Sequence, residues 1–187
     1  MLGSLPAHPF GASEVQSLGL TRAKLRAALS AGRIERVARG VYQLTERATL
    51  DPEDAYRTAT LRCGPPCCVA LLSALDHYHL TDEIPKQTWL VVPNQKRVAS
   101  ADIRAIRLRS PRWGIGIIHA DGYWVTSLER TLIDCLVHRR ILGSSVAIEA
   151  LRRSLSEKKT KLAHLIKTAK QLGVLHRVLP YLESFAA

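Results

Sequence analysis

The side chains with the clearest chemical capacity lie close together near the start of the chain: Thr21, Arg22, Lys24 and Arg26, then Arg36 and Arg39. Guanidinium and ammonium groups form charge-assisted hydrogen bonds to phosphate, and an arginine fork also matches the acceptor edge of guanine. That chemistry is recognition rather than bond making. Two elements are needed to position it. Thr21 can cap a first helical turn and Gly32 tolerates the left-handed conformation that ends one, so a helix of about three turns is expected between them. Leu25, Ala28 and Leu29 then share an inward stripe with Thr21 behind them. Ala23, Arg26, Ala27 and Ser30 point outward, with Arg22 and Lys24 at the flanks. A small, basic outward face lets a helix approach a DNA groove closely enough for side chains to reach base edges. Ile34 to Leu44 follows as two β-branched runs around Ala38-Arg39-Gly40, which reads as a hairpin with arginines near its tip. Upstream, Ala12 to Gly19 gives a short helix and a glycine turn, completing a helix-turn-helix with a wing. In this arrangement Arg22 and Arg26 would read base edges, whereas Arg36 and Arg39 would hold phosphate or the minor groove. The competing reading is a surface helix and hairpin that touch no nucleic acid, because charge alone signals little.

The other reactive side chains point away from catalysis. Cys63, Cys67, Cys68 and Cys135, with His77, His79 and His138, could supply zinc ligands on paper. They lack the paired knuckles of a structural zinc site, so buried thiols in a reducing compartment are the expectation, with no metal and no cofactor. A metal-dependent nuclease needs an acid beside a lysine on a strand, and Thr88 to Val92 has no acid. A nucleotidyltransferase needs Gly-Ser followed by two aspartates, whereas Gly143-Ser144 is followed only by Glu149. Glu129, Arg130 and Asp134 form the most suggestive trio, yet Arg130 and Asp134 lie four apart on one helix face and read as a structural ion pair. No enzyme is expected.

The 187 residues carry a net charge of +11, which favours an acidic partner, and nucleic acid is the commonest. No run approaches the roughly 20 apolar residues of a spanning helix, and the N-terminus lacks a signal-peptide pattern, so no membrane and a cytoplasmic location are expected. The charge is uneven: seven basic against three acidic residues in 1–50, eight against seven in 51–110, and twelve against six in 111–187. Arg152, Arg153, Lys158, Lys159 and Lys161 form a second basic patch, which could extend a phosphate footprint, face an acidic partner or simply be solvated.

Two domains are expected, 1–48 as the winged helix-turn-helix and 49–187 as an α+β domain with a small sheet and several helices, an α+β chain throughout. A winged helix normally packs a first helix across its pair, but Gly3, Pro6 and Pro9 leave room for only a turn or two of it. The cover must come from Leu2, Leu5 and Phe10, from residues upstream, or from the second domain. Thr45 to Leu50 reads as a linker, and Asp51-Pro52 as the start of a helix to about Arg62. Cys68 to Tyr78 reads as the next helix. Strands are expected at 89–92, 103–108, 115–118 and 123–126 in an antiparallel or mixed sheet. Helices follow at 128–138, 146–155 and 162–172, then an amphipathic run over 174–182.

At Gly19-Leu20-Thr21-Arg22, Leu25, Leu29, Gly32-Arg33-Ile34 and Arg36 to Tyr42 the chain resembles the N-terminal domain of AbiEi-family antitoxins, the antitoxin half of the AbiE abortive-infection systems of prokaryotes. Leu72-Ser73-Ala74-Leu75, Leu80-Thr81 and Thr126 to Asp134 are similar to that family's C-terminal region. The resemblance implies a winged-helix DNA-binding repressor of its own operon promoter, paired with a nucleotidyltransferase-like toxin that it counteracts without necessarily forming a stable complex. Two alternatives stay open: an interaction protein that neutralises a toxin by direct contact, and an ordinary winged-helix regulator without a toxin.

Overall fold

Phe10 and Val41, a bulky apolar residue at each end of the N-terminal region, end up buried on neighbouring strands. In the computed structural model, which describes residues 5–17, 19, 21–46 and 51–185, the chain divides into two compact units, Met1–Pro65 and Pro66–Ala187. Residues 47–50 of the expected linker and Leu2 of the expected cover lie outside the described residues.

The first unit runs β1 (Phe10–Gly11), α1 (Ala12–Ser17), α2 (Arg22–Ser30), β2 (Ile34–Ala38), β3 (Val41–Leu44) and α3 (Asp54–Cys63). The strands form an antiparallel sheet in the order β1-β3-β2, with Phe10 opposite Tyr42 and Ile34 opposite Leu44. Its core is Phe10, Val15, Ala28 and Ile34, backed by Leu5, Leu25, Leu29, Tyr42 and Leu44. β1 was not expected, and it puts Phe10 into the core as a sheet residue. The larger difference is α3, expected in a domain beginning at residue 49. It packs against β1, β2 and β3, burying Tyr56 and Ala59. The first compact unit thus runs to Pro65 and includes α3, which covers its sheet.

A buried cation fixes the start of α3. Arg57 Nη1 lies 2.5 Å from Asp51 Oδ2 and 2.9 Å from Asp54 Oδ1, and its Nη2 is 3.4 Å from Glu53 Oε2. Asp51 also accepts from the Glu53 amide at 2.9 Å. Asp51 thus organises the turn before the helix, which begins three residues later than expected.

The second unit runs β4 (Cys68–Val69), α4 (Leu71–His77), β5 (Thr88–Pro93), β6 (Ile103–Leu108), β7 (Ile117–Ala120), β8 (Tyr123–Thr126), α5 (Leu128–Val137), α6 (Arg139–Leu142), α7 (Ser144–Ser156), α8 (Leu162–Leu172) and α9 (Leu175–Glu183). Its five-stranded sheet has the order β6-β5-β4-β8-β7. β4 is antiparallel to β5 and parallel to β8, β5 is parallel to β6, and β7 is antiparallel to β8, so the sheet is mixed. The whole chain is α+β. Cys68 and Val69, expected within a helix, instead form the central strand, and α4 begins after them. α6 was not anticipated either. Leu71, Leu75, Trp89, Leu132, Leu136, Leu151 and Leu165 belong to the core of this unit. Ser127 caps α5 by accepting from the Arg130 amide, and Gly173 closes α8 in the left-handed conformation.

Candidate nucleic-acid interface

The helix α2 forms as its cap requires. Thr21, in extended conformation, accepts at its side chain from the Lys24 amide at 3.3 Å, and Gly32 takes φ +66° just after the helix. Ala28 is buried and Leu25 and Leu29 are half-buried, while Arg22, Ala23, Lys24, Arg26, Ala27 and Ser30 are exposed. The inward stripe and the outward basic face are those the spacing predicts. α2 packs against β2, which ties the basic helix to the hairpin that follows it.

β2 and β3 make that hairpin, turning at Arg39-Gly40 with Gly40 at φ +78°. Its register shifts between Arg36 and Ala38, and Arg36 Nε donates to the Ala38 carbonyl at 3.3 Å across the irregularity. Arg36 is thereby held along the hairpin, whereas Arg39 projects at the turn; both are exposed. Gln43 donates to Glu35 Oε1 at 2.6 Å across the two strands, which fixes the base of the hairpin. Arg33 is also exposed, between helix and hairpin. Sequence reading passed over it because it lies in the turn after Gly32 and on neither periodic element. Among the described residues, Arg22, Lys24, Arg26, Arg33, Arg36 and Arg39 take part in no ion pair. Their charges are therefore available to an outside anion.

The second basic patch differs. Arg152 pairs with Glu149, Arg153 Nε lies 2.9 Å from Glu157 and its Nη1 3.3 Å from Asp82, and Lys159 Nζ lies 2.9 Å from Glu157. Lys159 also donates to the Tyr78 carbonyl at 3.0 Å. Hydrogen bonds from Lys159 and Arg153 hold the Glu157 carboxyl below its ordinary range. Lys158, at φ +56°, and Lys161, at the N-terminal end of α8, are exposed. Three of the five cations are thus already matched by neighbouring acids.

Residues of the suggestive trio are structural in their contacts. Arg130 is buried, with Nε 2.6 Å from Asp134 Oδ2 and Nη1 donating to the carbonyls of Trp113 and Ile115. Glu129 accepts from Thr160 at 2.8 Å. Cys67, Cys68 and Cys135 are buried and Cys63 half-buried. Burial pushes the Cys68 thiol up to about 12 and the Cys135 thiol well above its ordinary value, so neither is a ready nucleophile or metal ligand. Among the described residues, no three His, Cys, Asp or Glu side chains are grouped as a metal site. No helix among them is long and apolar enough to cross a membrane.

Residues 8–45 match the family described as transcriptional regulator, AbiEi antitoxin. The likeness covers 38 of the 187 residues, and over that segment the chain is similar to an AbiEi regulator domain. The match begins just before β1 and ends just after β3, so it takes in the whole basic helix and hairpin, and α3 follows it in the chain. No curated protein matches the sequence. Within the matched segment the apolar residues of β1, α1, α2 and β2 form the core, and the cations that the core leaves outside are the ones described above.

Proposed function

We propose that the chain is a sequence-specific DNA-binding autorepressor and the antitoxin of an AbiE-like operon, acting in the cytoplasm against a nucleotidyltransferase-like toxin, with no catalytic activity of its own. The observation that carries the reading is the set of exposed, unpaired cations on α2 and the β2–β3 hairpin, mounted on a buried apolar core within an AbiEi segment. In this reading α2 enters the major groove. Its alanines allow close approach, Arg22 and Arg26 reach base edges, and Thr21 and Lys24 meet the backbone. The wing arginines Arg36 and Arg39 hold phosphate or the minor groove. Toxin counteraction rests with the second unit, through contacts that do not require repression.

A mobility-shift assay on the operon's own promoter tests the DNA half. The intact chain should retard that fragment in the presence of excess random DNA, and Arg26→Ala should weaken specific binding by about 1–3 kcal/mol while relaxing base preference. Equal affinity for promoter and random DNA would reject sequence-specific repression. Expressing residues 66–187 beside the toxin tests the other half: restored growth is expected, and toxicity persisting while that piece is shown to be folded would reject the assignment.

A further inference from the structure

Within the second unit, a cavity of about 220 Å³ opens between the end of β6, the loop after it, α5 and the junction of α8 with α9. Five arginines line it, Arg107, Arg109, Arg112, Arg130 and Arg177, against one acid, Asp134. That acid is already bound to Arg130 at 2.6 Å. The other four arginines are in no ion pair among the described residues, and all four are exposed at the rim. So many like charges around one concavity repel one another unless an anion neutralises them.

The deepest of the five is also the most rigid. Arg130 is 2 % exposed, and its Nε and Nη1 are fixed by Asp134 and by the carbonyls of Trp113 and Ile115. Its Nη2 has no hydrogen bond among the described residues. Ser154 Oγ is the one fully buried side-chain polar atom without a partner among them, so Nη2 is not sealed off, and Arg130 lines the cavity. A guanidinium oriented this way is preorganised for an oxyanion. Arg112 brings another guanidinium to the rim, its Nη1 lying over Gly173 at the junction of α8 and α9. Trp113, half-buried, adds a flat apolar surface to the same wall.

We propose that this cavity binds a small phosphate monoester carrying a planar ring, the class represented by a nucleoside monophosphate, with the phosphate among the arginines and the ring against Trp113. Its volume lies below the roughly 300–1,000 Å³ of pockets that enclose drug-sized ligands, so the ligand is held at its phosphate and ring with the remainder at the mouth. The site uses neither α2 nor the hairpin and stands independently of the DNA reading.

The test is calorimetric titration of the full chain with adenosine 5′-monophosphate, adenosine and inorganic phosphate, on wild type, R109Q/R177Q and W113L. The monophosphate should bind with a Kd of about 0.1 mM or tighter, and adenosine at least about tenfold more weakly. R109Q/R177Q should lose at least about tenfold in affinity with an unchanged circular dichroism spectrum. Because both replaced side chains are exposed, a folded variant is expected. Absence of monophosphate binding at millimolar concentration, or full affinity in R109Q/R177Q, would overturn the site. Inorganic phosphate binding as tightly as the monophosphate, or W113L binding as wild type does, would overturn the place given to the ring.

Discussion

Replacing Arg57 by methionine would keep most of the side-chain volume and remove the charge that gathers Asp51, Glu53 and Asp54 around the start of α3. Arg57 is 1 % exposed, while the three acids are 34 %, 31 % and 13 % exposed. Breaking a buried pair by deleting one partner costs about 3–5 kcal/mol because the remaining charge is stranded. Here the three carboxylates keep part of their hydration, which places the cost near the lower end, about 3 kcal/mol. Since α3 covers β1, β2 and β3, the loss should appear in that sheet. Hydrogen exchange read by mass spectrometry reports it locally: amides of β2 and β3 should exchange roughly 100-fold faster, tenfold for each 1.4 kcal/mol. Peptides from α5 provide the internal comparison and should be unchanged. Arg57→Lys, which keeps the charge but not the fork, should fall between the two. Exchange of β2 and β3 in Arg57→Met within about threefold of wild type would refute the argument that this cation fastens α3 to the sheet.

Thr21→Ala removes the side-chain acceptor for the Lys24 amide and should cost about 1 kcal/mol in stability of the first unit, seen as faster exchange in the first turn of α2. If Arg39 contacts phosphate, Arg39→Ala should weaken promoter and random DNA alike and flatten the slope of log affinity against log salt by about 0.9; an unchanged slope would remove Arg39 from the phosphate contacts. His138 has its pKa lowered by burial, with Arg177 and Arg130 adding to the effect and Asp134 opposing it. The unfolded chain therefore takes up this proton first as pH falls below 6.5, and the folded state loses stability from that point down to the native pKa. The stability advantage of wild type over His138→Asn should narrow between pH 7.5 and 5.5 in urea titrations, and a constant gap would show that the imidazole is not held neutral.

The helix α2 and the hairpin after it were legible because their signals are local. Thr21 and Gly32 delimit α2, and the small outward residues and flanking cations lie at helical spacing. Gly40 marks the turn between two β-branched runs in the same way. The two strands that escaped notice, Phe10–Gly11 and Cys68–Val69, are two residues long, too short to show a period. They are strands because distant segments pair with them, Val41 and Tyr42 for the first and Leu90, Val91 and Val125 for the second. The placement of α3 depends likewise on which surface needed covering, and no cap or stripe announces that. The acids beside the second basic patch are local in the same way. Glu149 precedes Arg152 by three residues and Glu157 follows Arg153 by four, so its neutralising partners stood in plain view at helical spacing. The arginine-lined cavity was beyond reach, because its cations come from β6, a loop, α5 and α9.

The position of β4 has a consequence for how the polypeptide is made. This central strand is joined to β5 and to β8, and Val69 faces Val125. On a ribosome, Val69 emerges well before Val125 has been synthesised, at a pace of about 5–20 residues per second. The first unit, complete by Pro65, can close while the second still lacks half of its sheet. For those seconds Cys68, Val69 and the apolar stretch Ala70 to Leu75 have no finished core to enter, and parallel pairing across so long a loop is intrinsically slow. A nascent chain would therefore present a settled N-terminal unit followed by a sticky, half-built one, which makes this stretch the natural point of engagement for a chaperone during translation.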